Sequence, residues 1–550
     1  MGFFRPKLLT DLRNYSGKQL ASDFVAGLIV AIIALPLSIA LAIASGVSPE
    51  KGLYTAIVAG FVIAMLGGSK VNISGPTAAF ATIVAGIVAQ HGISGLAIAT
   101  VMAGAMLIIM GVCRLGVLIK YIPYTITTGF TSGIALTIVI GQLKDFFGLT
   151  FPAGTHAVET MEKLSAVAES FSTMNVASFL VGLGALVILA VWPKISKKIP
   201  GSLIVVILGV IVVKLFKLNV NTIGDLYEIS RTLPTFALPE FSFAAVRQLL
   251  PSAFTIAILA AIESLLSCVV SDGMIGDRHD SNTELIAQGA GNICSGLFGG
   301  IPATGAIART AANVKNGGKS PVSGMVHAVI LLLILVVLMP YAAWIPMPVI
   351  AAILFMVAYN MCEWRQFVKI CKTAPKSDIA VLILTFVLTV VFDLVVAIEI
   401  GLLVAIILFM KRMADVTHIR PWTDTDEKVA DDNGRLKKIP PKTQVYEING
   451  PMFFATSDKI ASIPVKEGVK VIIFRMRNIP ALDISALQSL LDVFALCKKK
   501  GIRVIFSHVN DQPMSVMKKS EFYDVVGAEN FLPNIDEALA FAEKICAEVK

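Results

Sequence analysis

The sequence has little charge. Only 15% of its 550 residues are charged, whereas 56% are hydrophobic. A soluble globular protein of this length carries more charge, so that class is excluded. Apolar stretches of about 18 or more residues recur, the length that crosses the roughly 30 Å hydrocarbon core of a bilayer. The sequence therefore predicts a polytopic membrane protein.

The sequence also lacks the patterns of disulfide frameworks, metal sites and hydrolytic enzymes. Its seven cysteines form no CxxC pair, and its six histidines show no HExxH spacing. No spacing of a nucleophile and a base is evident, so we expect neither an enzyme nor a cofactor. The net charge of +8 does not indicate a nucleic-acid partner. Lysine and arginine fall mainly in short loops between apolar stretches, where they orient membrane proteins.

Fourteen apolar stretches predict fourteen membrane spans, seven on each side of a polar gap at 218–249. Seven is an odd number, so the second half would enter the membrane from the opposite side, and the halves (about 20–217 and 250–412) would be inverted repeats. In chain order the predicted spans are 21–44, 52–68, 74–90, 95–112, 122–143, 174–192, 200–217, 250–271, 283–298, 304–317, 322–340, 346–361, 377–394 and 396–412.

The basic residues of the loops predict the orientation. If the N-terminus is cytoplasmic, most of them fall in inner loops, as positively charged residues do in membrane proteins. Both termini are then cytoplasmic in a multi-pass protein of the cell membrane, the inner membrane of a bacterium. Examples in predicted inner loops are Lys70, Arg114, Lys315, Lys319, Arg365, Lys369, Lys372, Lys411 and Arg412.

The character of the chain changes near residue 412. Residues 1–415 are predicted to form the membrane domain, and 416–440 are polar and indicate a linker. Residues 441–550 alternate strand-like runs such as VKVIIFRM with helix-like runs such as ALQSLLDVFALCKKK. This alternation predicts a small cytoplasmic α/β domain.

Two stretches interrupt the apolar pattern at corresponding places in the two halves. The first broken stretch is 67–86 (GGSKVNISGPTAAFATIVAG), and the second broken stretch is 299–318 (GGIPATGAIARTAANVKNGG). Each has a glycine pair, a short extended run, and then small residues in a helical run. Such pairs of interrupted segments are the best sequence indication of a transporter's binding site.

A half-helix that begins inside the membrane presents unpaired N–H groups and a partial charge of roughly +0.5. Two facing starts and Arg309 would bring the site to about +2, which favours anions. The alternative is that both glycine pairs are ordinary tight turns with small residues for packing. The predicted helix-start residues are Gly75, Pro76, Thr77 and Ala78 in the first stretch, and Thr304, Gly305, Ala306 and Ile307 in the second.

Glu263 is predicted to lie near the middle of the eighth span, about 18 Å along its helix from Pro251 at roughly 1.5 Å per residue. An ionised carboxylate there costs about 2.5–3.5 kcal/mol, so we expect it to be protonatable, paired with a cation, or both. Beside an anion its charge would repel the substrate, and protonation would remove that repulsion. By thermodynamic reciprocity the proton and the anion then favour each other's binding, which is the basis of proton–anion symport.

Two other roles for Glu263 stay open at this point. It can be a structural partner of Arg309, which does not exclude coupling. It can also help to coordinate sodium in place of the proton as coupling ion, with Ser264, Ser267 and Thr304 supplying oxygen ligands.

These residues resemble the sulfate permease (SulP) family of anion transporters. The resemblance rests on SPEKGLYTAIVAGFVIAMLGGSK with ISGPTAAF, on DSNTELIAQGAGNICSGLFGGIPATGAIARTAANVKNGGKSPVSG, and on the C-terminal domain, which is similar to the sulfate-transporter/anti-sigma-antagonist (STAS) module. IESLL around Glu263 and AIARTAANVK around Arg309 are most similar to the bacterial C4-dicarboxylate type.

The resemblance implies a homodimer in which a core domain (spans 1–4 and 8–11) moves against a gate domain (spans 5–7 and 12–14). It implies an anion site between spans 3 and 10. The residues it assigns to that site are Leu37, Leu41, Thr77, Ala308, Arg309 and the acidic Glu263. The expected function is proton-coupled symport of a C4-dicarboxylate, sulfate or bicarbonate. A sodium-coupled bicarbonate symporter and an uncoupled exchanger or channel are the alternatives. A soluble partner of the C-terminal domain is also possible.

Overall fold

The computed structural model describes residues 4–117, 123–152, 157, 159–195, 200–230, 232–392, 394–422 and 438–548. The chain divides into two compact units, Met1–Leu402 and Leu403–Lys550. The first unit is built from apolar helices, and the second contains a five-stranded sheet.

The helices up to residue 416 overlap all the predicted spans. They are α1 (Lys7–Asp11), α2 (Gly17–Ala44), α3 (Pro49–Leu66), α4 (Ala81–Val112), α5 (Tyr124–Phe147), α6 (Thr160–Glu169), α7 (Val176–Ile195), α8 (Gly201–Leu215), α9 (Ile223–Leu226), α10 (Phe243–Ile275), α11 (Ser281–Leu297), α12 (Ile307–Lys315), α13 (Val322–Ala342), α14 (Met347–Cys362), α15 (Trp364–Thr373), α16 (Lys376–Val391) and α17 (Leu394–Val416).

Eight helical segments of the described chain are long and apolar enough to cross a membrane. Each predicted span overlaps a helix. The element α4 covers spans 3 and 4, and Gly92 divides it into two helical segments, because its φ of 66° and ψ of −171° are not helical values. Glycine adopts this conformation without steric cost, and the break lies between the two spans that the sequence predicted.

The helices of the first unit pack in two groups. In one group α11 packs against α4 and α3, α13 packs against α3 and α2, and α10 packs against α4 and α12. In the other group α14 and α16 pack against α5, and α7 packs against α14 and α8. The first group contains the spans of the expected core domain, and the second contains those of the expected gate domain except span 14. The helical membrane fold is confirmed.

Local chemistry sets several helix ends. The side chains of Ser242 and Asp280 accept hydrogen bonds from N–H groups in the first turns of α10 and α11, at 3.1 and 2.9 Å. These bonds satisfy donors that a helix start leaves free. Gly148 and Gly276 end α5 and α10 in the left-handed conformation. Glycine adopts that conformation without steric cost.

The second unit is the expected α/β domain. Its sheet has the order β3-β4-β5-β6-β7, with β3 antiparallel to β4 and the other pairs parallel. One apolar cluster, which includes Leu487 and Phe522, covers one face of the sheet, and a second cluster around Trp422 and α22 covers the other. The strands are β3 (His418–Pro421), β4 (Thr443–Asn449), β5 (Val471–Asn478), β6 (Arg503–Ser507) and β7 (Phe531–Leu532). The helices are α18 (Ser457–Ala461), α19 (Ile484–Lys499), α20 (Asp511–Lys519), α21 (Phe522–Val526) and α22 (Ile535–Glu548).

Two segments differ from the sequence prediction. Part of the predicted linker 416–440 is wrong, because His418–Pro421 forms β3 and pairs with β4, which satisfies its backbone. Residues 423–437 of that linker lie outside the described residues. The chain between spans 12 and 13 was predicted as a loop, but it forms the helix α15.

Candidate functional site

The two broken stretches meet in a short antiparallel ladder inside the first unit. β1 is Ser74–Gly75 and β2 is Thr304–Gly305. Ser74 pairs with Gly305 and Gly75 pairs with Thr304. The N–H of Ala306 donates to the carbonyl of Ile73 at 2.8 Å and extends the ladder. Stretches that are more than 200 residues apart in the sequence therefore lie side by side, as the sequence predicted.

The helix starts lie slightly later in the chain than predicted. Gly75 and Pro76, like Thr304 and Gly305, are in extended backbone instead of a first helical turn. The reason is that backbone groups in a membrane need partners, and the ladder supplies them for these residues. After Thr77 the chain enters a 3₁₀ turn, Ala78–Phe80, that leads into α4, and after Ala306 it enters α12.

Neither helix start is capped by a side chain. The first N–H groups of a helix have no acceptor within the helix, so the starts at Ala78 and Ile307 each present free donors. Ile307 is 43% exposed and Ala308 is also exposed, whereas Ala78 is buried. The two starts flank the ladder and give the site a positive character from the backbone alone.

One face of α11 supports both broken stretches. Glu284, Gln288 and Asn292 follow one another at intervals of four residues and are all fully buried. The Nε2 of Gln288 donates to the Oγ of Ser74 at 2.9 Å. The Nδ2 of Asn292 donates to the carbonyl of Ala303 at 2.8 Å, and the N–H of Ala303 donates back to Oδ1 at 2.8 Å. This polar stripe therefore fixes the approach to each strand.

Glu284 follows the acidic residues of the chain between spans 8 and 9, where the sequence predicts a solvated inner loop, but its side chain is fully buried. Its Oε2 accepts from the N–H groups of Gly68 and Ser69 at 2.9 and 3.2 Å. Its Oε1 accepts from the Nδ2 of Asn72 and the Nε2 of Gln288 at 2.8 and 2.9 Å. Four donors compensate the burial of the carboxylate. The sequence signal for this role is the four-residue spacing of Glu284, Gln288 and Asn292, which places polar groups on one face of a membrane helix.

Arg309 joins the two stretches. It is only 3% exposed, and its Nη2 donates to the carbonyl of Pro76 at 2.8 Å. A Cβ added to Gly75 would lie 2.6 Å from Nη1, so glycine is required for this close approach. No acceptor bonds Nη1 within the described residues. The cation of the second stretch therefore lies against the backbone of the first.

Glu263 faces the same region from α10 and is half-buried. Its Oε2 accepts a hydrogen bond from the Oγ1 of Thr77 at 2.8 Å. The expected alternative, an ion pair with Arg309, is not found among the described residues. This carboxylate is thus joined to the residue that precedes the first helix start.

The hydroxyl groups considered for sodium are already engaged. The Oγ of Ser264 lies 2.7 Å from the Oγ1 of Thr304 and accepts from the N–H of Gly305 at 3.0 Å. Ser267 donates to the Oδ1 of Asn72 at 2.8 Å. All three hydroxyl residues are fully buried. They hold the ladder to α10 through these bonds.

Three further side chains complete the description of the site. Leu37 on α2 packs against the cluster that includes Phe146 and Leu189 in the second helix group, whereas Leu41 is buried in the first group. His327 on α13, which the sequence analysis did not single out, is 1% exposed, and neither ring nitrogen has a partner among the described residues.

The start of the first stretch is fixed by ion pairs outside the spans. The Nζ of Lys70 lies 2.9 Å from Asp277 and 3.6 Å from Asp11, and Lys7 lies 3.5 Å from Asp277. The hydrogen bond from Lys70 lowers the pKa of Asp277 to about 2 and raises the pKa of Lys70. Loss of solvent around Asp11 raises the pKa of its carboxyl group.

The arrangement offers positive charge and hydrogen-bond donors of the kind that anions need. It combines two uncapped helix starts, a buried guanidinium group and one carboxylate that can take up or release a proton. Within the described residues no cluster of His, Cys, Asp and Glu could hold a metal ion.

The sequence profile of the sulfate permease family matches residues 20–385. The chain belongs to the sulfate permease family. The STAS domain profile matches residues 436–538. As a member of this family the protein is a secondary transporter of anions and not an enzyme.

Relatives cover nearly the whole chain. A Bacillus subtilis protein named "Putative sulfate transporter YvdB" is 39% identical over 96% of this chain and 98% of its own length. The bicarbonate transporter BicA of Picosynechococcus sp. is 31% identical over 95% of this chain and 94% of its own. The structure of the murine anion transporter Slc26a9 in the inward-facing state superposes with a TM-score of 0.88 and covers 98% of this chain and 94% of that one. At 19% identity this last likeness shows the fold alone.

Proposed function

We propose that this sulfate permease family member is a proton-coupled symporter of a small oxyanion. Sulfate or bicarbonate would be preferred to a C4-dicarboxylate. The observation that carries the proposal is the convergence of Arg309, two uncapped helix starts and Glu263 on one ladder. The names of YvdB and BicA support the order of substrates, because they refer to sulfate and bicarbonate and neither refers to a dicarboxylate.

Glu263 is the proposed coupling residue. When it is ionised, its charge repels an anion at the neighbouring helix starts, and it holds the hydroxyl hydrogen of Thr77. When it is protonated, that repulsion is lost, and the Thr77 hydroxyl is free to donate to the anion. Proton and anion therefore favour each other's binding, and they would cross the membrane together.

The proton is preferred to sodium for a structural reason. A sodium ion needs several free oxygen ligands, but the hydroxyl groups of Ser264, Ser267 and Thr304 are buried and bonded to one another or to neighbouring groups. Freeing them would break bonds that hold β2 to α10. Glu263 alone provides too few ligands for a cation.

Uptake into proteoliposomes tests the proposal. We expect the full-length protein to accumulate labelled sulfate or bicarbonate when the outside is more acidic, with little change when potassium replaces sodium at fixed pH. Succinate provides the dicarboxylate comparison. Dependence on sodium, or conductance without accumulation, would favour the alternatives named above.

The variant Glu263→Gln separates coupling from binding. It keeps the size of the side chain but cannot lose a proton, so we expect exchange of anions to continue without a response to the pH gradient. Glu399→Gln, an exposed glutamate on α17, serves as the control and should behave like the wild type. If Glu263→Gln still accumulates anion in response to the gradient, the coupling assignment is wrong.

Orientation and assembly stay predictions. Cytoplasmic termini can be tested by labelling of introduced cysteines from either side of intact cells. The homodimer can be tested by the mass of the purified protein after correction for detergent.

A further inference from the structure

The helix α15 has an exposed face on which aromatic and basic side chains lie next to each other. Arg365, Lys369 and Lys372 are exposed and follow at intervals of four and three residues, which places them on one side of the helix. Trp364 and Val368 form the neighbouring row and are 46% and 38% exposed. The ten residues of α15 contain no acidic side chain.

The opposite face of α15 holds the helix to the protein. Ile370 is buried, and the ring of Phe367 lies 5.5 Å from the ring of Phe386 on α16, edge to face. The helix also packs against α5. The exposed face is thus presented by a helix with a fixed orientation, and it is not part of a loose loop.

The junction with α14 places α15 at the end of a membrane span. Glu363 between the two helices has φ 43°, and this left-handed residue turns the chain away from the direction of α14. The Nε1 of Trp364 donates to the hydroxyl of Tyr359, the 56% exposed tyrosine at the end of α14, at 3.4 Å. Tyrosine and tryptophan are enriched where a span leaves the hydrocarbon core.

We propose that the exposed face of α15 binds the headgroups of anionic phospholipids. Within the described residues no carboxylate forms an ion pair with its three cations. A short helix with an apolar row beside a basic row lies in the plane of the membrane interface. Anionic headgroups complement the three positive charges, and the predicted orientation places α15 at the inner surface, where such lipids attract basic segments.

Energy transfer from tryptophan to a labelled lipid measures this contact in the full-length protein. The protein is placed in zwitterionic nanodiscs that contain a small fraction of pyrene-labelled phosphatidylglycerol, with pyrene-labelled phosphatidylcholine as the reference lipid. We expect more transfer to phosphatidylglycerol. Trp364→Phe should remove most of that excess, because Trp364 is the tryptophan on this face.

The triple variant Arg365→Gln, Lys369→Gln, Lys372→Gln tests the cations. We expect its affinity for phosphatidylglycerol to fall about a hundredfold, from the attraction that each basic residue near an anionic surface contributes. The matched control replaces three other exposed cations of the predicted inner side, Arg13, Lys18 and Lys319, with glutamine and should keep the excess transfer.

A salt titration of the wild type needs no substitution, so its result does not depend on whether a variant folds. Raising the salt from about 0.1 to 1 M shortens the screening length from about 10 to 3 Å, so the excess transfer should disappear. Equal transfer to the two lipids in the wild type, or an equal loss in the triple variant and its control, would overturn the proposal. Neither outcome bears on anion transport by the ladder site, so the two proposals fail independently.

Discussion

The first and second broken stretches contribute equally to one ladder but differ in how they enter their helices. The first passes through Thr77 and a 3₁₀ turn into α4, whose first segment ends at the break at Gly92. The second passes through Ala306 directly into α12, which has nine residues. Thr77 gives its hydroxyl hydrogen to Glu263, whereas Ala306 has no hydroxyl, and the second stretch supplies Arg309 instead.

The start of the first stretch and the end of the second are anchored in a similar way, because backbone N–H groups donate to a buried carboxylate at each. The N–H of Gly68 donates to Glu284, and the N–H of Lys319, just past the second stretch, donates to the Oδ1 of Asp23 at 2.7 Å. The first stretch has an ion pair in addition, between Lys70 and Asp277. The repeat therefore preserves the course of the backbone, while charge and proton chemistry are divided between the halves. The predictions below test that division.

The largest effect should follow from Arg309→Gln. This change removes the cation that the second stretch supplies and weakens the bond to Pro76. A hydrogen bond to a charged group contributes about 1.5–3 kcal/mol, so anion uptake should fall by about 100-fold. Initial rates of uptake measure the change, and Arg278→Gln, an exposed arginine, is the control. A variant that transports at the wild-type rate would mean that the backbone alone binds the anion.

Glu284→Gln should have the next largest effect, and on stability. In this variant an NH₂ group replaces one carboxylate oxygen. It would face donors that now donate to Oε1 or Oε2, and it cannot accept hydrogen bonds from them. We expect the free energy of unfolding to fall by about 3 kcal/mol. The midpoint of thermal unfolding in detergent measures this. Glu50→Gln is the matched control, since Glu50 is also buried but its Oε2 has no partner among the described residues. An equal shift for both variants would contradict the role of the stripe on α11.

Gly75→Ala and Gly305→Ala compare the two strands directly. A Cβ at Gly75 would meet the end of the Arg309 side chain, which can move, so we expect a stable protein with uptake reduced about tenfold. A Cβ at Gly305 would lie 2.7 Å from the Nδ2 of Asn72 and 3.1 Å from the Cα of Ser264. Those groups are held in place, so overpacking should lower stability by about 1–3 kcal/mol.

Uptake and unfolding of both glycine variants, measured on the same preparations, give the comparison. The comparison assumes that Gly75 makes room for Arg309 and that Gly305 makes room for the packing of the fold. Loss of stability in Gly75→Ala, together with loss of transport alone in Gly305→Ala, would contradict it.

The smallest effect should come from Asp277→Asn. The pKa of Asp277 is about 2, below the usual 3.8, because Lys70 stabilises the charged form. The pair therefore contributes its full stabilisation above about pH 4 and loses it as the pH falls towards 2. Asp277 is 34% exposed, so we expect a difference of less than about 1 kcal/mol at pH 7. Thermal unfolding at several pH values measures it, and a difference that persists at pH 2 would contradict the ion pair.

The sequence predicted the spans and the meeting of the broken stretches because both depend on regular signals. Apolar length marks a span, and the same glycine-rich plan occurs twice. The role of Glu284 was missed because it follows an acidic loop, although Gln288 and Asn292 continue its face of α11. The helix α15 was missed because basic residues between two spans are typical of a loop as well. The bond between Thr77 and Glu263 joins residues 186 positions apart, which no local pattern reveals.

The ladder of β1 and β2 also limits how the protein can change shape. Separating the strands would leave several backbone amides without partners in a medium that offers none, at a cost of several kcal/mol for each group. We therefore expect the seam between the halves to stay closed during transport. Arg309, Glu263 and both helix starts would then move as one body, and the contacts that change would be those that α2 and α4 make with the second helix group.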